Sequence, residues 1–213
     1  MPRPDSAALL IVDLQYDFLP GGALAVPQGD AIVAPIAALL RDGPFGTRVA
    51  TQDWHPPHHA SFASGHAGHR PFDVVTLHGR DQVLWPDHCV AGSRGAELTA
   101  GVPWERVHAI VRKGTDPAVD SYSGFRNNLD ARGQRPPTGL AGYLRERGVG
   151  TVTICGLARD YCVRWTAEDA AALGFTAVVL WDLTRPVAPE SDAAVRAALA
   201  AAGVRVIDSA ELG

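Results

Sequence analysis

The chemistry this chain can do gathers around Cys162. That residue lies in Gly156-Leu157-Ala158-Arg159-Asp160-Tyr161-Cys162-Val163, directly after the run Thr151-Val152-Thr153-Ile154-Cys155. The run has the length and β-branched content of a buried strand. Gly156 is expected to end it, and Asp160 to cap a helix that continues through Glu168 to Leu173 and stops at Gly174. Cys162 then falls in the first helical turn. Unpaired backbone N–H groups and the positive end of the helix dipole favour a thiolate there. The same N–H groups can hold an oxyanion once that thiolate attacks a carbonyl. A small buried cysteine on an amphipathic helix would show the same local pattern, so the reactive reading needs support from the rest of the chain.

Other strand ends supply it. The apolar run Ala7-Ala8-Leu9-Leu10-Ile11-Val12 stops at Asp13, and Val107 to Arg112 stops at Lys113. Ligands of parallel α/β sheets collect at the carboxyl ends of strands. Lys113 is the only lysine among nineteen lysines and arginines. Coding bias can leave one lysine by chance, but a strand-end lysine fits a site that needs a compact ammonium rather than a planar fork. A cysteine nucleophile needs a base for its proton and an acid for the leaving group. Asp13 can fill both roles, while Lys113 lowers the thiol pKa and holds the carboxylate. Together these residues point to acyl transfer from an amide through a thioester that water releases.

A metal site is expected beside them. The strand Arg48-Val49-Ala50-Thr51-Gln52 ends in Asp53-Trp54-His55, and a long irregular region follows from Pro56 to about Trp104. Residues 55–88 hold seven of the eight histidines. Asp53 and His55 fall on one side of an extended chain because side chains alternate. His88, in Trp85-Pro86-Asp87-His88-Cys89, can complete a three-ligand set with open positions for water or substrate. Taken singly, each loop histidine is as well explained as a solvated polar residue.

Helical spacing over Asp30 to Arg41, Thr138 to Arg147 and Pro189 to Ala201 alternates with the strands, which include Thr176 to Trp181 and Val204 to Ile207. This alternation predicts a three-layer α/β/α fold: one domain over residues 1–213 with a mostly parallel central sheet of about six strands. The 213 residues are 46% apolar and 20% charged, with a net charge of −4. Nothing in that balance suggests a cationic face for nucleic acid, and no apolar run has membrane-spanning length. The start, Met1-Pro2-Arg3-Pro4-Asp5, lacks the pattern of a secretory signal, and three cysteines are too few and too odd for a disulfide framework. The expectation is a cytoplasmic protein with reduced thiols.

The motifs, taken in order, resemble the nicotinamidase/pyrazinamidase family of isochorismatase-like cysteine hydrolases over nearly the whole chain. They are Ile11-Val12-Asp13-Leu14-Gln15-Tyr16-Asp17-Phe18, Thr51-Gln52-Asp53-Trp54-His55-Pro56, Trp85-Pro86-Asp87-His88-Cys89-Val90, Arg112-Lys113-Gly114 with Ser121-Tyr122-Ser123-Gly124-Phe125, and Gly156-Leu157-Ala158 through Cys162-Val163 to Thr166-Ala167. The resemblance implies a triad of Cys162, Asp13 and Lys113. It also implies an oxyanion hole from the N–H groups of Ala158 and Cys162, with Leu157–Ala158 as a candidate cis peptide. It implies one divalent ion, zinc, iron or manganese, on Asp53, His55 and His88, holding the pyridine nitrogen of the substrate. Phe18 and Trp85 match ring-stacking positions, and Tyr122 lines the pocket. A further group near the metal is Ser61, His58 or His59, and Tyr161 stands where some relatives carry histidine. The implied reaction is hydrolysis of nicotinamide, and of pyrazinamide, to the acid and ammonia in NAD salvage. The alternative is a related amidohydrolase acting on a carbamoyl or ureido substrate. Relatives are often homo-oligomers. The stretch Ala63 to Val83 reads as generic loop.

Overall fold

The computed structural model describes residues 6–212. Its elements run β1 (Ala7–Val12), α1 (Val33–Asp42), β2 (Thr47–Asp53), β3 (Val74–Leu77), β4 (Arg80–Val83), β5 (Ala109–Lys113) and α2 (Leu140–Glu146). They continue with β6 (Thr151–Leu157), α3 (Arg164–Ala172), β7 (Thr176–Arg185), α4 (Asp192–Ala201) and β8 (Arg205–Ile207). The apolar runs pair in parallel into one six-stranded sheet of order β5-β2-β1-β6-β7-β8. β1 is buried at all six positions, because alternate residues feed two cores. Leu9 and Ile11 pack with Ile36 and Leu40 of α1 on one face. Leu10 and Val12 pack with Leu140 of α2, Ala167 of α3 and Leu199 of α4 on the other. Each large side chain so buried contributes about 1.5–3 kcal/mol. The expected three layers and parallel sheet are present. Among the described residues no helix is long and apolar enough to cross a membrane.

The strand order places the site. From β1 the chain builds outward through β2 to β5, then returns to β6 and builds the other way. The reversal lies between β1 and β6, and a crevice opens there at the carboxyl ends of the strands. Asp13 leaves β1 and Cys162 follows β6 at that crevice.

Three details differ from the sequence reading. Helix 30–41 begins as a 3₁₀ turn, Gly29–Ile32, before α1. Pro35 is tolerated in the first turn of α1, where its missing N–H would have been unpaired anyway. Gly156 does not end its strand. It continues at φ +113°, with a register shift against β7 between Ile154 and Gly156. A Cβ there would collide with the backbone of Val12, so only glycine lets β6 follow β1 to the crevice. Gly156→Ala is expected to cost on the order of 3 kcal/mol. A variant that melts at the wild-type temperature would contradict this close approach.

The third difference is the stretch read as loop, which holds the antiparallel hairpin β3–β4. Its turn is His78-Gly79, both at positive φ, which suits the right-handed twist of a tight hairpin. Strands of four residues are too short to show alternation, and histidine is not the usual residue at such a turn.

Candidate active site

Asp13 takes φ +46° as it leaves β1. Its N–H donates to Thr51 Oγ1 at 3.2 Å, and that hydroxyl donates to Asp13 Oδ1 at 2.7 Å. Oδ2 makes no regular hydrogen bond and faces Lys113 Nζ at 2.8 Å. Lys113 ends β5 in register with Asp53, which ends β2. Besides Asp13, its ammonium meets Asp53 Oδ1 at 2.5 Å, Ser121 O at 2.9 Å and Cys162 Sγ at 3.4 Å. Three N–H protons thus serve three hydrogen-bond acceptors, with Asp13 Oδ2 as a fourth, ion-paired neighbour. The sulfur, carboxylate and ammonium expected together do meet, fully buried.

The electrostatics correct one expectation. Burial alone would strip the proton from Lys113, but Asp13 and Asp53 hold it well above the ordinary lysine value. Burial lifts the Asp13 carboxyl to about 6, against the pull of Lys113. Burial also pushes the Cys162 thiol well above its usual value, because Asp13 and Asp53 oppose the help from Lys113. Burial and these two carboxylates therefore favour the thiol, against the preference for a thiolate expected from its place after the strand. It needs a base at the moment of attack, and a carboxylate oxygen of Asp13 lies within 4.8 Å of the sulfur.

The local backbone differs from the expected helix cap as well. Arg159–Val163 form a π-helical turn, with Val163 N bonded to Ala158 O at 3.0 Å, and α3 starts only at Arg164. The Asp160 side chain does not cap this turn. It turns away and accepts from Val187 N and Ala188 N. The Leu157–Ala158 peptide is cis.

Asp53, His55 and His88 converge beside the triad. His55 Nε2 lies 3.6 Å and His88 Nε2 3.9 Å from Asp53 Oδ2. Ligand atoms ~2.1 Å from a tetrahedral cation stand roughly 3.4 Å apart. The outer nitrogens are occupied: His55 Nδ1 by Gly114 O at 3.1 Å, His88 Nδ1 by Pro86 O at 2.8 Å. Carbonyls only accept, so each Nδ1 carries hydrogen and each Nε2 lone pair is aimed inward, the usual arrangement behind a metal-binding imidazole. Burial and His55 lower His88 to about 4, leaving it neutral. Burial would raise the Asp53 carboxyl, but Lys113 and His55 hold it well below the usual carboxylate range. Burial would lower His55, yet Asp53 draws a proton to it. A carboxylate and two imidazoles that attract a positive charge to their centre fit a divalent cation.

Gly114 makes this possible. It has φ +65°, and a Cβ there would strike the His55 ring. Gly114→Ala is expected to lower the metal content of purified protein well below that of wild type, read by elemental analysis. Full occupancy in that variant would contradict the packing.

Among the three further loop groups, His59 and Ser61 lie inside and His58 is exposed. His59 packs against His55 with the rings tilted, centroids 4.4 Å apart, and shares a 2.8 Å bond with Ser61 Oγ.

A pocket opens onto these groups. Phe18, Trp85, Tyr122, Ala158 and Cys162 line it together with Asp53, His55 and His88. Asp13 and Lys113 stand behind Cys162 rather than on the wall.

The model of the isochorismatase domain matches residues 7–211. The chain belongs to the isochorismatase family. Within that family, a nicotinamidase of Acinetobacter baylyi is 46% identical over 88% of this chain and 85% of its own. A solved structure from L. infantum in complex with nicotinate is 41% identical, with TM-score 0.85 over 99% of this chain and 96% of that one. The pyrazinamidase of Pyrococcus horikoshii, solved in complex with zinc, is 35% identical, with TM-score 0.76 over 95% and 99%.

This isochorismatase-family pocket also has walls that sequence reasoning did not assign: Leu24, Asp120 and Val187, with Tyr161 noted but given no place. Tyr161 packs edge-on to Trp85, ring centroids 4.7 Å apart. Gln82, on the unforeseen hairpin, donates to Asp120 Oδ2 at 2.8 Å and Tyr122 Oη at 3.0 Å. No local signal marks Leu24 or Val187, since both are ordinary apolar residues in loops.

Proposed function

We propose that this protein is a nicotinamidase, hydrolysing nicotinamide to nicotinate and ammonia, and pyrazinamide likewise, in NAD salvage. The observation that carries the reading is the meeting of Cys162, Asp13 and Lys113 behind a pocket whose wall holds Asp53, His55 and His88. The named relatives support the same substrate.

Cys162 Sγ attacks the amide carbon, and its proton passes to Asp13 Oδ2. Lys113 stays charged and balances the carboxylates of Asp13 and Asp53 throughout. The N–H groups of Ala158 and Cys162 hold the oxygen that becomes negative in the tetrahedral intermediate. The C–N bond then breaks. Asp13, near 6 and so able to give the proton back, protonates the leaving nitrogen, and ammonia departs from a thioester. Asp13 next takes a proton from water, whose oxygen attacks the thioester, and the thiol is restored as nicotinate leaves. Phe18, Trp85 and Tyr122 pack on the ring. A divalent cation on Asp53, His55 and His88, with His59 and Ser61 beside it, would supply an electrophilic anchor for the ring nitrogen. Zinc, iron and manganese all suit that donor set. The three buried, unpaired cysteines support a reducing, cytoplasmic setting.

The test is ammonia release from nicotinamide by the purified protein in a coupled assay. Turnover is expected, and a full complement of metal with no ammonia would overturn the reading. A chelator is expected to remove most activity, and added zinc or manganese to restore it. Undiminished turnover in protein shown to be metal-free would contradict the role given to Asp53, His55 and His88.

A further inference from the structure

Asp160 is one of the buried carboxylates that the mechanism does not use. Asp160, 7% exposed, sits two residues before the nucleophile. Its partners are two backbone amides and a hydroxyl: Val187 N at 2.9 Å, Ala188 N at 2.9 Å and Ser191 Oγ at 3.4 Å. Burial keeps its carboxyl above the usual value, with these bonds and its own backbone N–H opposing. Arg159 beside it grips the same β7–α4 segment at its two ends. It donates to Thr184 Oγ1 at 2.8 Å and Thr184 O at 2.7 Å, and pairs with Asp192 at 2.6 Å. Arg159 thus fastens the ends, while Asp160 fastens the middle, where Val187 faces the pocket.

We propose that Asp160 is a positioning residue: it ties Val187 to the turn that carries Cys162, and so fixes the pocket wall that fits the substrate ring. The bond network links wall and nucleophile directly, so the wall cannot shift without breaking charge-assisted bonds. Its effect falls on substrate binding, because Asp160 touches neither Cys162 Sγ nor the Asp13–Lys113 pair. The inference rests on the nicotinamidase reading.

The test uses the metal-loaded wild-type enzyme and three variants, Asp160→Asn, Val187→Ala and the double variant, with kcat and KM for nicotinamide measured separately. An amide in place of the carboxylate can accept from one backbone N–H and sets its own N–H against the other. Asp160→Asn is expected to raise KM about tenfold, the effect of roughly one buried hydrogen bond, with kcat within about threefold of wild type. In the Val187→Ala background the same change is expected to raise KM little further, because the two residues act as one unit. A residue of mere stability would lower the melting temperature and the active fraction and leave KM alone. An unchanged KM, a loss confined to kcat, or KM effects that multiply in the double variant would each overturn the proposal. Should Asp160→Asn fail to fold, Asp160→Glu keeps both acceptor oxygens and is expected to fold with an altered KM. If neither folds, Asp160 serves stability and the positioning claim falls. Absence of nicotinamide turnover by wild type would instead overturn the reading beneath it.

Discussion

Cys162→Ala is expected to lower nicotinamide turnover on the order of 10⁴-fold or more, while fold and metal content stay at wild-type levels. The size follows from removing the only group that forms a bond to substrate; residual rate would come from the oxyanion hole and binding alone. The separation of activity from metal follows from the geometry. His55 and His88 are aimed by Gly114 O and Pro86 O, and Asp53 is held by Lys113, so no ligand depends on the sulfur. The alanine also removes a buried thiol that three carboxyl and ammonium groups crowd, so stability is expected to hold or rise slightly. Ammonia assay and elemental analysis on the same preparation check both halves. A variant that turns over, or one that loses its metal, would contradict the account.

Lys113→Met is expected to abolish turnover and also to destabilise the protein. Met keeps the length of the side chain but leaves Asp13 and Asp53 buried with no charge between them. Breaking a buried ion pair in this way costs about 3–5 kcal/mol, on the order of 10 °C in melting temperature for a chain of this size. The loss should depend on pH. A carboxyl whose folded-state value lies above its unfolded one binds a proton on folding, so it costs stability as the pH rises past the unfolded value toward the folded one. Asp13 stands at about 6 with Lys113 in place, and the substitution removes the main pull against its burial. The melting deficit of metal-free Lys113→Met protein is therefore expected to be larger near pH 8 than near pH 5. An equal deficit at both values would show that Lys113 acts by packing rather than charge.

The parts of the site legible in the sequence were those at strand ends. Asp13, Asp53, Lys113 and Cys162 each follow a strand-like run, and a parallel sheet must bring such ends to one edge. The sheet and its helical layers were legible for the same reason: runs buried on both faces, as in β1, have few alternatives. What the sequence hid depends on backbone detail. The strand passes through Gly156 because its neighbour approaches too closely for a side chain, and Cys162 sits in a π-helical turn rather than in the first turn of a helix capped by Asp160. Helix-dipole reasoning sees one turn, while burial and two carboxylates act on the thiol from other strands. The β3–β4 hairpin was missed because neither strand is long enough to show a period. Gln82 therefore went unremarked, although it braces Asp120 and Tyr122. Asp160 was read as the cap of the helix that carries Cys162, but the backbone N–H groups it accepts from belong to Val187 and Ala188, far along the chain.

The account stands or falls on where the acyl group goes. Rapid acid quenching of the enzyme during nicotinamide turnover, followed by peptide mass spectrometry, locates it. The prediction is one nicotinoyl group on the peptide that carries Cys162, lost on treatment with hydroxylamine as a thioester should be. A nicotinoyl group bound to any other residue would contradict it.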